Sequence, residues 1–260
     1  MTTTATAPAS TVRPAVPGPS LARLTGVELR KLADTRAGRW LLATIGLIAA
    51  AIVVLQLRFV DDAEQTFTQF FTASLLPVGL LLPVLGILSI TAEWSQRTAL
   101  STFVLVPRRD RVVLAKLAAV VLAALASVLV SLAVAAVGTL LSRATGGAGD
   151  WNFGWALAGH AAVFQVANVL LGAAFGLLLL NTPLAIVTYL LLPMVWGILG
   201  AMIEALRGTA RWLDTSITME PLLGPEVTAG QWARLGVSLL AWVAAPLAAG
   251  LVRTLRREVS

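Results

Sequence analysis

The sequence predicts an all-α polytopic membrane protein with six transmembrane helices, and three observations carry that prediction. Of its 260 residues, 58% are hydrophobic and only 12% charged, with a mean hydropathy of +0.86, whereas a soluble domain is about half apolar and about a quarter charged. Six stretches are long enough to cross a hydrocarbon core about 30 Å thick, which takes about 20 helical residues. The basic residues gather in alternate loops between those stretches, the pattern left by one cytoplasmic membrane face. Cysteine is absent, which excludes a disulfide framework, a thiolate metal site and a cysteine nucleophile.

Residues 1–20 are Thr, Ala, Pro and Ser with one cation, Arg13. They lack the apolar core of a secretory signal peptide and are expected to form a disordered cytoplasmic tail. Residues 21–39 read as an amphipathic interfacial helix. Ser20 is available as its N-cap, Leu21, Leu24 and Leu32 share one face, and Arg23, Arg30 and Asp34 lie roughly opposite. The leucines would dip into the acyl boundary while the cations meet anionic headgroups; a solvated basic linker is the alternative.

The six-span domain covers 40–252. Span 1, 40–57, starts at Trp40 as an interfacial anchor and is closed by Arg58. Beyond a loop with Asp61, Asp62 and Glu64, span 2 covers 70–92 and contains Pro77 and Pro83, which kink a membrane helix and free carbonyls that neighbours or water must satisfy. Span 3, 112–141, is longer than the hydrocarbon requires, so Lys116 in its first turns is expected to project into the interface or snorkel there. After a Gly-rich turn, span 4 (155–180) and span 5 (183–203) form a hairpin through Asn181, Thr182 and Pro183. Residues 204–231 are too polar to span, yet carry Trp212, Leu213, Ile217, Met219, Leu222 and Leu223. Short helices lying against the bundle are expected there. Span 6, 235–252, runs into a basic tail, 253–260, with Arg253, Arg256 and Arg257.

With both termini cytoplasmic, 14 of the 19 basic residues fall inside and 5 outside, while the 13 acidic residues divide 5 to 8. That asymmetry sets the expected orientation. It also accounts for the pI of 11.2 without nucleic acid, because the basic excess faces an anionic leaflet.

A phosphate-cradling loop needs glycine before lysine, as in GxxxxGK[ST]. Lys31 follows Arg30 and Lys116 follows Ala115, and these are the two lysines of the chain. An internal ATPase of that type is excluded, and the chain is expected to be neither an enzyme nor a cofactor carrier. The single histidine, His160, has no GxSxG elbow or HExxH helix beside it. His160, Gln165 and Asn168 share one wide arc of span 4 and are expected to face the bundle, as interhelical hydrogen-bonding groups, as the lining of a substrate path, or, least favoured by their chemistry, as catalysts. Gly172 and Gly176 form a GxxxG pattern that allows close helix approach, within the chain or between two chains.

The loop between spans 2 and 3 is the most informative stretch. Glu93, Trp94, Arg97 and Thr98 open it; Leu100, Phe103, Val104 and Val106 follow; Arg108 and Arg109 close it. A connecting loop has no need of four large apolar residues, which must be buried against the membrane surface or in a partner's groove.

At this loop the chain resembles the permease subunits of type-2 ATP-binding-cassette (ABC) exporters, in particular the small six-span bacterial ones. Glu28-Leu29-Arg30-Lys31-Leu32 looks like the helix leading into that family's first span. Glu93-Trp94 with Arg97-Thr98 resembles its signature after span 2, and Val106 to Arg109 with Arg111 to Lys116 resembles its approach to span 3. Ala92 departs from the glycine common before the glutamate. The resemblance runs from about Leu21 to the C-terminus. It implies a bacterial inner-membrane location and a separate ATPase subunit whose groove grips a coupling helix around Thr98 to Val106. It also implies a second permease chain, identical or homologous, to complete the pathway. The few polar groups in the spans would suit a hydrophobic or amphipathic cargo. An ion-driven carrier is one rival. It would usually place a carboxylate at mid-membrane depth, whereas Glu93 and Glu204 sit at span ends. A non-transporting scaffold is the other.

Overall fold

The computed structural model describes residues 19–95 and 109–256, and every regular element among them is helical. Helix α1 (Leu21–Asp34) turns at Thr35 into α2 (Arg36–Phe59); α3 (Phe67–Ser95), α4 (Arg109–Ala144), α5 (Trp155–Leu179) and α6 (Thr182–Met202) follow. Two short helices, α7 (Glu204–Leu213) and α8 (Thr215–Met219), and a 3-10 turn (Glu220–Leu223) lead to α9 (Ala229–Leu239). A π turn (Leu240–Ala244) carries the chain into α10 (Ala245–Arg256). Among the described residues, six helices are long and apolar enough to cross a membrane: α2 to α6 and the composite Ala229–Thr254. This is a polytopic membrane protein.

The sixth helix begins at Ala229 rather than near residue 235. Thr228 and Gln231 form a reciprocal capping box, in which Gln231 Oε1 accepts from the Thr228 amide at 2.7 Å. The cap starts the helix early enough to take in Gln231 and Arg234, which the sequence reading left outside the span.

Helices α3 and α5 form the centre. Their most apolar windows are 61% and 56% buried, against 22% to 28% for the other four spans, and they make the most extensive helix contact in the bundle. Glycine permits it. A Cβ on Gly172 would stand 2.5 Å from the Pro83 carbonyl oxygen, and one on Gly176 3.3 Å from Ile87 Cα. The GxxxG pattern therefore makes its contact inside the chain, against α3.

Helix α1 differs from the expected surface helix in the face it buries. Ser20 caps it, its hydroxyl accepting from the Arg23 amide at 3.3 Å. The residues buried are Thr25, Glu28 and Leu32, while Leu21 is exposed. Much of α1 lies on α4, so protein covers much of its inner face. Thr35 sets the corner: its amide caps α1 at the Lys31 carbonyl, and its Oγ1 accepts from the Gly38 amide at 3.1 Å to start α2.

At the opposite end of the bundle, loop 145–154 is stitched to the α2–α3 connection by Phe67 N–H to Asp150 O (2.8 Å) and Ala148 N–H to Asp62 O (2.9 Å). Phe67, Phe71, Phe153 and Trp155 stack edge to face there, with centroids 5.0 to 5.5 Å apart, as aromatic residues do at a membrane interface. Helix α7 folds back along α6, bringing Asp214 against Gly197 and Ala210 against Gly200. The polar 204–231 stretch thus lies on the bundle as short helices.

Gly172→Val should force α3 and α5 apart and lower stability by about 1–3 kcal/mol, the usual cost of overpacking. Thermal unfolding in detergent should show this, with Gly159→Ala, where an added Cβ meets nothing within 4 Å, left near wild type.

Candidate functional site

Two sites stand out, one at the end of the bundle that carries α1 and one between α5, α6 and α8. At the α1 end, Lys116 of α4 is buried, its side chain only 6% exposed and that of Glu28 7%. Lys116 Nζ donates to Glu28 Oε2 (2.9 Å) and to the Ser89 carbonyl of α3 (2.9 Å). Glu28 Oε1 accepts from Lys31 Nζ at 2.7 Å. One ammonium thereby ties α1, α3 and α4 together. The expected snorkelling of Lys116 does not occur, because a carboxylate on α1 and a carbonyl on α3 satisfy its charge inside the protein.

The sequence carries a signal for this joint. Leu21, Leu24, Glu28 and Leu32 follow helical i, i+3, i+7, i+11 spacing, which places a carboxylate in the middle of a leucine stripe. A charge so placed calls for a partner, and Lys116 supplies it.

The second site is built on the kink of α3. Pro83 has no N–H for the Gly79 carbonyl one turn earlier. Tyr189 of α6, the chain's one tyrosine, reaches that oxygen with a long hydrogen bond of 3.4 Å. One turn further back, Gln165 of α5, fully buried, donates Nε2–H to the Leu75 carbonyl at 3.2 Å. Beside this joint an open cavity of about 450 Å³ is lined by Leu80, Asn168, Tyr189, Pro193, Thr215 and Ser216, among others. Asp214 holds its α8 wall in place, buried and accepting from the Ser216 amide at 2.9 Å.

His160, Gln165 and Asn168 are not brought together. His160 Nδ1 lies 3.1 Å from the Gly224 carbonyl and its ring packs edge-on to Trp232, which fastens the segment before α9. Gln165 serves α3. Asn168 donates to the Phe164 carbonyl of its own helix at 2.9 Å and lines the cavity. The arc they share is wide enough on a tightly packed helix to put the three in different surroundings. Tyr189, Thr215 and Ser216 were missed because nothing local marks them; the freed carbonyl opposite Pro83 is the one cue that called for a donor such as Tyr189.

Of the loop residues, Glu93 and Trp94 lie in the last turn of α3 and Arg109 in the first turn of α4. Arg97, Thr98, Leu100, Phe103, Val104, Val106 and Arg108, and with them the expected coupling helix, lie outside the described residues. Compared with family models and with curated proteins, the chain matches none.

Lys116→Met should cost about 1–3 kcal/mol, because Glu28 loses its inner partner while Lys31 still pairs with its other oxygen. Adding Glu28→Met to the same chain should recover most of that loss. Unfolding in mixed micelles measures both; equal destabilisation in the single and double variants would contradict the pairing.

Proposed function

We propose that this chain is the membrane-spanning permease subunit of an ABC exporter, moving a hydrophobic or amphipathic substrate out of the cytoplasm on the power of a separate ATPase subunit. The observation that supports this reading best is the Lys116 joint. It lies just inside the ends of α3 and α4, the two helices that flank the 96–108 segment, and binds both to α1. A force applied at 96–108 would reach α3 and α4 together, and α1 would carry it through the Thr35 corner to α2. A linkage of that kind suits a segment gripped from outside.

The α1 end would face the cytoplasm of a bacterial cell, which places the cations of α1 against anionic lipid. Helices α2 and α6 bury only 22% of their apolar windows, which leaves room for lipid and for a second permease chain, the same or homologous. The cavity between α5, α6 and α8 combines volume with polar groups, and a cargo would meet Asn168, Tyr189, Thr215 and Ser216 there.

Gentle extraction of the tagged chain from its host, with mass spectrometry of what co-purifies, tests the reading. A stoichiometric P-loop ATPase is expected, lost when Leu100, Phe103 and Val104 are changed to Asp while membrane insertion persists. Absence of such an ATPase in several mild detergents would sink the proposal. Once a cargo is known, Asn168→Leu should lower its transport severalfold and leave the ATPase bound.

A further inference from the structure

Beneath α1 lies a crevice of about 320 Å³, walled by α1, α2, α3 and α4 through residues such as Leu29, Leu42, Ala49, Leu82 and Val134. Its wall is almost wholly apolar. Two of the three serines in it, Ser74 and Ser127, turn their hydroxyls onto the Phe71 and Ala124 carbonyls of their own helices, both at 2.7 Å. Water would find too few partners to stay there. A helix, about 10 Å across with its side chains, is too thick for the space.

The dimensions fit a thinner object. Along α4 the lining runs from Ala123 to Val134, about 16 Å at the helical rise of 1.5 Å per residue. That is close to half of a hydrocarbon core about 30 Å thick, the depth of one leaflet. The crevice starts beneath α1, where Leu29, Leu32 and Ala33 form its roof. Arg39 stands one turn before Leu42 and Arg36 one turn before that, both exposed. Among the described residues neither arginine makes an ion pair, Glu28 being engaged by Lys31 and Lys116. Asp34 is the remaining carboxylate on α1, so positive charge dominates the rim.

We propose that this crevice holds one acyl chain of an anionic phospholipid whose headgroup is bound by Arg36 and Arg39, so that a lipid molecule fills the space between α1 and the bundle. The site depends on the chain spanning a membrane and not on its being a transporter. Gly46 lines the crevice, and a Cβ there would stand in open space with nothing within 4 Å.

The full chain, reconstituted in vesicles of equal parts phosphatidylglycerol and phosphatidylcholine and re-extracted in mild detergent, should retain one tightly held phosphatidylglycerol by native mass spectrometry. Gly46→Phe should abolish that retention and Gly46→Leu reduce it in proportion to the space filled. Leu47→Phe, on the exposed face of α2 at 72% exposure, should leave it unchanged. Arg36→Gln with Arg39→Gln should keep a lipid but lower the preference for phosphatidylglycerol by about thirtyfold, the scale of the attraction of two basic side chains to anionic lipid. Wild-type chain with no retained lipid, a Gly46→Phe chain that keeps it, or an arginine double variant with undiminished preference would each overturn the proposal.

Discussion

Inside a bilayer a backbone carbonyl released from its helix has no water to turn to, and this constraint organises the bundle. Side chains from one helix repeatedly answer the backbone of another. Tyr189 reaches Gly79, Gln165 reaches Leu75, and Lys116 reaches Ser89. Arg253 of α10 meets the Leu178 carbonyl at the end of α5, and Trp242 in the π turn donates to the Leu213 carbonyl at 2.6 Å. The Tyr189 bond answers a kink, those of Arg253 and Trp242 answer helix ends, and all of them fix a pair of helices in register. Lipid tails give apolar side chains little reason to prefer one helix partner over another, so polar ties of this kind, together with close glycine contacts, decide which helices meet.

Helix α3 receives three of these ties, and the one from Tyr189 goes to a carbonyl that a proline has freed. The Pro83 kink frees the Gly79 oxygen for α6, while the same turn of α3 receives Gly172 of α5 at close range. A break in one helix is thereby converted into contacts with two others. At the α1 end the tie is ionic. Burying Lys116 and Glu28 is unfavourable for either charge alone, and their mutual contact offsets that cost. The pair contributes placement of α1 more than net stability.

Under the proposed function the two sites would divide the labour. The Lys116 joint and the Thr35 corner make α1, α2, α3 and α4 one mechanical unit at one end. The cavity of Asn168, Tyr189, Thr215 and Ser216 lies on the other side of α3, against α6 and α8. Because α3 touches both, a displacement of its α1 end would, on that reading, reach the cavity through the kink. The proposed lipid crevice lies on the α1 side of the same helix, where its filling would stiffen the contact between α1 and the bundle.

The number and order of the spanning helices, the short helices of 204–231 and the N-cap of α1 were legible in the sequence, because hydropathy over about 20 residues and side-chain capping are local properties. The resemblance at residues 93–116 drew attention to the ends of α3 and α4 without showing what joins them. Whether Gly172 and Gly176 packed inside the chain or between chains was not legible, since the same spacing serves both. Nor was it legible that His160, Gln165 and Asn168 would serve three different partners. Composition and periodicity determined that this chain forms a six-helix membrane bundle. Tertiary structure alone decided that Lys116 turns inward to Glu28 and that Tyr189 answers Pro83, because each requires residues far apart in the chain to arrive at one depth.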